Sequence, residues 1–202
     1  MVYRPSFQGA WVALLLAGLL PACNSQGNFL SELEGESEEP LVGVANAVMS
    51  DAAGNQVALV RFGQHSAGTR VQVTATGLTT GIHAFHVHAN NDPTNGDGCV
   101  GPTFVSADGH YNPGGLTHPN HAGDMPVLFF AAGSPTVGYA NFVTGNFNTE
   151  EIKGRAIILH ALADNCANIP ERYSAAGVPG PDTATLATGD AGGRVACGVI
   201  GE

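Results

Sequence analysis

"GIHAFHVHA", residues Gly81 to Ala89, puts His83, His86 and His88 on what reads as a buried strand. Successive strand side chains point to opposite faces. Ile82, Ala84, His86 and His88 therefore share one side, and His83, Phe85 and Val87 the other. Two imidazoles side by side among apolar neighbours are an unusual load for a strand face. Something elsewhere in the chain must engage them.

Outward from this stretch the chain is β-like from Leu41. "LVGVANAVM" and "NQVALVRF" flank "SDAAG", a short glycine-containing connection suited to a hairpin. "TRVQVTATG" alternates with period two. After the histidine strand come "MPVLFFAA", "VGYANFVTGNF", "GRAIILHA" and "GRVACGVI". These are eight candidate strands, and no amphipathic helix of useful length accompanies them. The pattern predicts an all-β fold, an antiparallel sandwich or barrel. Two connections, Ala89 to Asp124 and Ala161 to Gly193, are too long for plain turns, and such loops in a compact domain usually carry function.

Six of the 8 histidines cluster at these two connections. His86 and His88 end the fourth strand, His110, His118 and His121 lie in the first long loop, and His160 ends "GRAIILHA". A lone histidine is ordinarily just solvated or hydrogen-bonded. A His-x-His pair, a His-x7-His-x2-His-x2-Asp run and a strand-end histidine together point to metal. Imidazole is the commonest metal ligand, and several imidazoles suit copper or zinc rather than magnesium or calcium.

These residues resemble the copper–zinc superoxide dismutase family. "GIHAFHVH", "GHYNP", "HAGDM", "GRAIILHA" with Asp164 following, and "TGDAGGRVACGVIG" match its signatures in order, over essentially Leu41 to Glu202. The resemblance implies an eight-stranded antiparallel Greek-key barrel with the metals held outside it by the two long loops. It implies copper ligands His86, His88, His110 and His160, and zinc ligands His110, His118, His121 and Asp124, with His110 bridging. It further implies Asp164 as a carboxylate behind ligands of both sites, a Cys99–Cys197 disulfide, Arg194 beside copper and Thr188 at the channel rim. In that reading superoxide is the substrate, oxygen and hydrogen peroxide are the products, and His110 supplies a proton. Such a reaction needs a metal that exchanges one electron easily, which favours copper and leaves zinc structural. A fixed guanidinium at Arg194 suits a small anion.

The chain departs from the family in two respects. The His118 to His121 interval is shorter than in many members, and no lysine follows Asp164 in its loop. Ligands at i, i+3 and i+6 can still converge on one ion if the loop curls, which Pro119 and Gly123 favour.

The N-terminal residues 1–22 read as an export signal. Arg4 precedes an apolar run from Ala10 to Leu20, too short for the ~20 residues that span a bilayer. Leu20-Pro21-Ala22-Cys23 resembles a bacterial lipoprotein cleavage box with Cys23 as the lipid acceptor. Residues 23–40, rich in Glu and poor in large apolar side chains, read as a flexible acidic tether. Residues 41–202 form the barrel domain. The expected location is the cell envelope, with membrane contact through the lipid. Cys166 has no partner in the family pattern and reads as a buried thiol acting as a small hydrophobe, or as an interchain link.

Seven Lys+Arg against 17 Asp+Glu, a net charge of -10, exclude a nucleic-acid partner. "NNDPTNGDG" lacks the spacing and closing Glu of a calcium loop. "GDAGGR" enters a strand rather than a helix, so it is no phosphate cradle. A blue-copper site would need a cysteine ligand. The alternative kept open is a non-catalytic copper-binding or copper-buffering envelope protein on the same barrel. Monomer and homodimer both remain open.

Overall fold

The computed structural model describes residues 41–201 except 93, 95 and 97; the segments read as export signal and tether lie outside the described residues. In chain order the strands are β1 (Val42–Asp51), β2 (Gln56–His65), β3 (Gly68–Thr76), β4 (Gly81–His83), β5 (Phe85–His88), β6 (Leu128–Ala131), β7 (Val137–Thr144), β8 (Ala156–His160), β9 (Ser174–Ala175), β10 (Val178–Pro179) and β11 (Arg194–Val199). Two single-turn helices, α1 (Thr149–Ile152) and α2 (Thr185–Thr188), lie in the connections. The turn from β1 to β2 is held by Asp51, whose Oδ1 accepts from the backbone N–H groups of Ala53 and Asn55 at 2.9 Å each.

Nine strands form one antiparallel sheet in the order β4-β6-β7-β3-β2-β1-β11-β8-β5. Its two end members, β4 and β5, are halves of the single run "GIHAFHVH". At Ala84 the run changes partner: Ala84 N–H donates to Leu162 O and Ala84 O accepts from His160 N–H. The first half pairs with β6 and the second with β8. One broken strand thus joins both ends of the sheet into a nearly closed barrel of eight strands, leaving little edge for aggregation. The sequence reading had this run unbroken, because nothing local at Ala84 marks a switch that its two neighbours impose. It also had a plain loop where the β9–β10 hairpin pairs Ser174 with Pro179 and Ala175 with Val178.

The barrel interior follows the period-two pattern. Ala45, Ala47 and Met49 of β1, Val60 and Phe62 of β2, Val71 and Val73 of β3, and Phe85 and Val87 of β5 point inward with Leu128, Phe130, Ile157 and Leu159. Each large side chain so buried contributes roughly 1.5–3 kcal/mol by area. β8 is buried on both faces. Ile157 and Leu159 enter the barrel, while Ala156 and Ile158 pack outside it against Phe104, Ala107 and Cys197. Its unbroken apolar sequence reflects this double burial. The outer cluster seats the first long loop on the barrel wall, and a disulfide between Cys99 and Cys197, with Cα atoms 5.5 Å apart, fastens it there.

Cys166 is half-buried at the protein surface rather than enclosed in the core, which corrects the reading of it as a buried hydrophobe. The remaining cysteine of the chain, Cys23, lies outside the described residues.

The Cys99–Cys197 bond closes a loop of 98 residues. Removing so long a crosslink frees the unfolded chain, for which the chain-entropy model gives about 4–5 kcal/mol. A Cys99→Ser/Cys197→Ser double variant should lose up to that amount of unfolding free energy in urea, at unchanged barrel circular dichroism.

Candidate metal centre

β5 and β8 position the first histidines. Their inward side chains are anchored in the barrel, so the alternate ones, His86, His88 and His160, stand on the outer wall. The first long loop folds over them. His88 bridges His110, and His86 bridges Asp124, as isolated β-pairs. Gly123 sits between β5 and Tyr111, donating to Tyr111 O and accepting from Val87 N–H. A Cβ at Gly123 would fall 2.1 Å from Val87 O, so no side chain fits at this crossing. Arg155 completes the seat. Its guanidinium lies 3.7 Å from the centroid of the Tyr111 ring, and its Nη1 donates to Ala89 O at 2.9 Å.

Six histidines and Asp124 meet in two buried groups that share His110. In each group the candidate ligand atoms lie within 4.8 Å of one another. In the first, each ring has its far nitrogen fixed on an oxygen, that of His110 on Asp124 of the second group. His88 Nδ1 donates to Asp108 O at 2.9 Å, His160 Nδ1 to Gly192 O at 3.3 Å, and His86 Nε2 to Asp164 Oδ2 at 2.7 Å. A neutral imidazole has one N–H, so the near nitrogens carry bare lone pairs. His88 Nε2 and His160 Nε2 face each other at 3.4 Å, and His86 Nδ1 and His110 Nε2 are buried without a hydrogen-bond partner. Lone pairs converging away from water are unfavourable unless a cation sits among them. Four nitrogens suit copper.

The second group is tighter. His110 Nδ1 is 2.8 Å from Asp124 Oδ1, while His118 Nδ1 and His121 Nδ1 are 3.0 and 3.3 Å from Asp124 Oδ2. His121 Nδ1 lies 3.3 Å from His110 Nδ1. A zinc tetrahedron with ligand distances of ~2.0–2.1 Å has edges of ~3.3 Å, so these residues fit zinc with small outward shifts. The short interval from His118 to His121 does curl as required.

Asp164 joins the halves. Its Oδ2 accepts from His86 and its Oδ1 from His118, both at 2.7 Å, and Oδ1 also accepts from the Cys166 N–H. The backbone of Gly189, at φ 61°, packs against this carboxylate, where a Cβ would lie 2.1 Å from Oδ1. Glycine is required there by both space and conformation.

A cavity of about 450 Å³ reaches His88, His110 and His160 but none of His118, His121 and Asp124. The first group is therefore open to a small solute and the second is closed. Among the described residues Arg194 is the one permanent cation lining this cavity, and Thr188 and Asp190 line it too. Arg194 Nη1 donates to Phe104 O and Nη2 to Asp108 O, each at 2.5 Å.

Every site residue expected from sequence is thus brought together, except Cys23, which lies outside the described residues. Sequence reasoning missed Phe104, Asp108 and Gly192, which act through backbone carbonyls that leave no trace in residue type. It also missed Asp190, an anion on the cavity wall, and Arg155. His83 is buried apart from the cluster, its Nδ1 on His160 O at 2.9 Å.

Burial sets the charge of the site. Desolvation, aided by the other imidazoles, lowers His110 to about 4 and His160 to about 3, and holds His88 well below the ordinary histidine range. These rings are neutral at pH 7, as ligands must be. For His118, burial is outweighed by hydrogen bonds to Asp124 and Asp164, which raise it to about 9. Burial opposes ionisation of Asp124 and Asp164, yet their histidine partners hold both well below the usual carboxylate range.

These shifts fix the pH dependence of the metal-free protein. Where the folded pKa is depressed, the unfolded chain binds protons first, so stability is lost as pH falls from 6.5 through 4 and 3. The two carboxylates add losses below their ordinary value of 3.8. His118 has the opposite sign: its contribution is complete below 6.5 and disappears as pH rises through about 9. Thermal unfolding of metal-free protein should therefore show a maximum melting temperature near pH 6.5, with the steeper fall on the acid side.

A barrel carrying an open nitrogen-ligand site and a closed His/Asp site, joined by a shared imidazole, defines a two-metal redox protein. The sequence profile described as copper/zinc superoxide dismutase matches residues 57–200. Relatives named "Superoxide dismutase [Cu-Zn]" from Mycobacterium tuberculosis and Mycobacterium bovis are each 37% identical, covering 97% of this chain and 91% of theirs. One from Mycolicibacterium paratuberculosis is 42% identical over 73% of this chain and 70% of its own. Among solved structures, the crystal structure of the clock protein EA4 superposes with a TM-score of 0.61 at 30% identity, covering 83% of this chain and 99% of that one. The chain belongs to the copper–zinc superoxide dismutase family. Superoxide dismutation is its activity, and copper and zinc are its metals.

Proposed function

We propose that His86, His88, His110 and His160 hold the copper, that His110, His118, His121 and Asp124 hold the zinc, and that Arg194 guides superoxide to the open half. The observation that carries this assignment is the pair of bare Nε2 atoms of His88 and His160, facing each other at 3.4 Å where the cavity ends.

Copper, when bound, supplies the one-electron exchange by which one superoxide becomes oxygen and another becomes peroxide. The remaining roles belong to the chain. Arg194 offers charge-assisted hydrogen bonds to a small anion from a guanidinium already held by two carbonyls, so little entropy is lost on binding. This local cation matters in a protein of net charge -10, whose distant field repels the substrate. His110, which lines the cavity, would hold a proton at Nε2 for the departing peroxide whenever that atom is not engaged by copper. Asp164 keeps His86 and His118 in the tautomers that aim their Nδ1 atoms inward. Thr188 lines the way in.

His160→Ala should lose one copper per chain and at least 100-fold in dismutation while the circular dichroism of the barrel persists. Arg194→Ala should keep both metals and lose roughly tenfold in rate, with Arg194→Lys partly restoring it. Full activity in His160→Ala, or equal rates in the three Arg194 proteins, would overturn the assignment.

We place the domain, residues 41–202, outside the cytoplasm, exported by residues 1–22 and tethered by residues 23–40 from a lipid on Cys23. The apolar run ending at the cleavage-box cysteine supports this reading, as does the Cys99–Cys197 bond, which persists in oxidising compartments. A relative in Brugia pahangi, 32% identical over 77% of this chain, is named an extracellular superoxide dismutase. Mass spectrometry of the mature protein should find diacylglycerol on Cys23, and Cys23→Ser should shift it to the soluble fraction. A Cys23 in disulfide linkage to Cys166 would overturn the anchor.

A further inference from the structure

Asp108 occupies a backbone conformation that side chains rarely adopt. Its φ of 64° and ψ of -159° lie in the region used almost solely by glycine. Such strain persists only when the surroundings over-determine it, and here they do. The carboxylate Oδ2 of Asp108 accepts from the backbone N–H of Asn91 at 2.6 Å and of Asp92 at 3.0 Å. Its own N–H donates to Val105 O at 3.1 Å. The turned peptide then presents one carbonyl to two functional groups at once, accepting from His88 Nδ1 at 2.9 Å and from Arg194 Nη2 at 2.5 Å.

We propose that Asp108 is a positioning residue for the open half of the site: its carboxylate, tied to the chain just beyond β5, locks a glycine-type peptide whose carbonyl orients both His88 and Arg194. The inference rests on the reading of His88 as a copper ligand and Arg194 as the anion guide. The geometry explains why an acid can stand here. In this conformation its side chain reaches the 91–92 backbone, so the same hydrogen bonds that cap that segment oppose relaxation of the strained peptide. The lock also links three stretches of chain: the end of β5, the disulfide loop and the start of β11. A change at the 91–92 segment is thereby felt at the metal ligand and at the guanidinium together.

The roles of cap and backbone shape separate in three variants. Asp108→Asn keeps an amide oxygen for Asn91 and Asp92 and tolerates positive φ. Asp108→Gly takes the shape without strain but cannot hold it. Asp108→Ala has neither the cap nor the conformational freedom. The probes are azide, a small anion titrated into copper–zinc-loaded protein through its visible spectrum, and the nitrogen-15 resonance of His88 Nδ1–H in metal-free protein. The Asn variant should bind azide at least as tightly as wild type and keep the His88 resonance. The Ala variant should bind azide about tenfold more weakly and shift or broaden that resonance. Should the Ala variant not fold, the Gly variant carries the test, with azide binding at least threefold weaker than in the Asn variant. Azide affinities and His88 resonances indistinguishable from wild type in the Ala and Gly variants would overturn the proposal. The copper and anion assignments are checked separately: if Arg194→Ala still binds azide as wild type does, that reading fails, whereas loss there with silent Asp108 variants overturns the positioning role alone.

Discussion

Lone pairs that point at one another in a dry place need a positive charge between them, and the architecture of this protein is arranged to keep them pointing. In the open group, the imidazole nitrogens of His88, His160 and His86 that face the centre are kept free of a proton by an acceptor behind each ring: Asp108 O for His88, Gly192 O for His160, and Asp164 Oδ2 for His86. Two acceptors are backbone carbonyls and one is a carboxylate, so the tautomers are set by the fold rather than by the rings. A cation entering such a cluster meets ligands already oriented, and most of the ordering cost has been met during folding.

The barrel makes this possible by having a rigid outside as well as a packed inside. β5 and β8 are neighbours whose inward residues are locked in the core, which leaves His86, His88 and His160 on the outer wall with little freedom. Two loops then cover that wall. The first is held by the Cys99–Cys197 bond, by the outer apolar cluster around Phe104 and Ile158, and by Arg155 stacked on Tyr111. The second is drawn in by Asp164, against which the Gly189 backbone packs. Asp164 therefore serves loop closure and both metal groups with the same two oxygens. It couples them more directly than the barrel does.

The division of labour between the two metals follows from access. The cavity ends on His88, His110 and His160, while His118, His121 and Asp124 are sealed by the loops. His110 alone belongs to both groups and lines the cavity. Placing the shared ring at the solvent-reachable edge leaves its Nε2 beside the open group while Asp124 of the closed group orients it from behind. Opposite it, Arg194 is held by the Phe104 and Asp108 carbonyls and shares the cavity wall with an anion, Asp190. The net field at the entrance is thus a balance of near charges.

Much of this was legible in residue order. Period-two alternation marked the strands because a barrel wall has one apolar face, and the density of histidine at two long connections marked the metal groups because few other roles need so many imidazoles. The spacing His118, His121, Asp124 sufficed to place three candidate ligands on one curl of chain. Three things were decided only in three dimensions. The partner switch at Ala84, which joins the sheet into a barrel, depends on which strands lie beside that residue rather than on the residue itself. The near-side nitrogens of His88 and His160 depend on carbonyls of Asp108 and Gly192, and a carbonyl is present at every position of every sequence. The strained peptide at Asp108 has no signature either, since an aspartate in a loop reads as an ordinary polar residue until the backbone angles and its two N–H partners are known. Residue types fix what chemistry is available; the backbone, identical at each position in the sequence, acquires its specific partners only when the chain is folded.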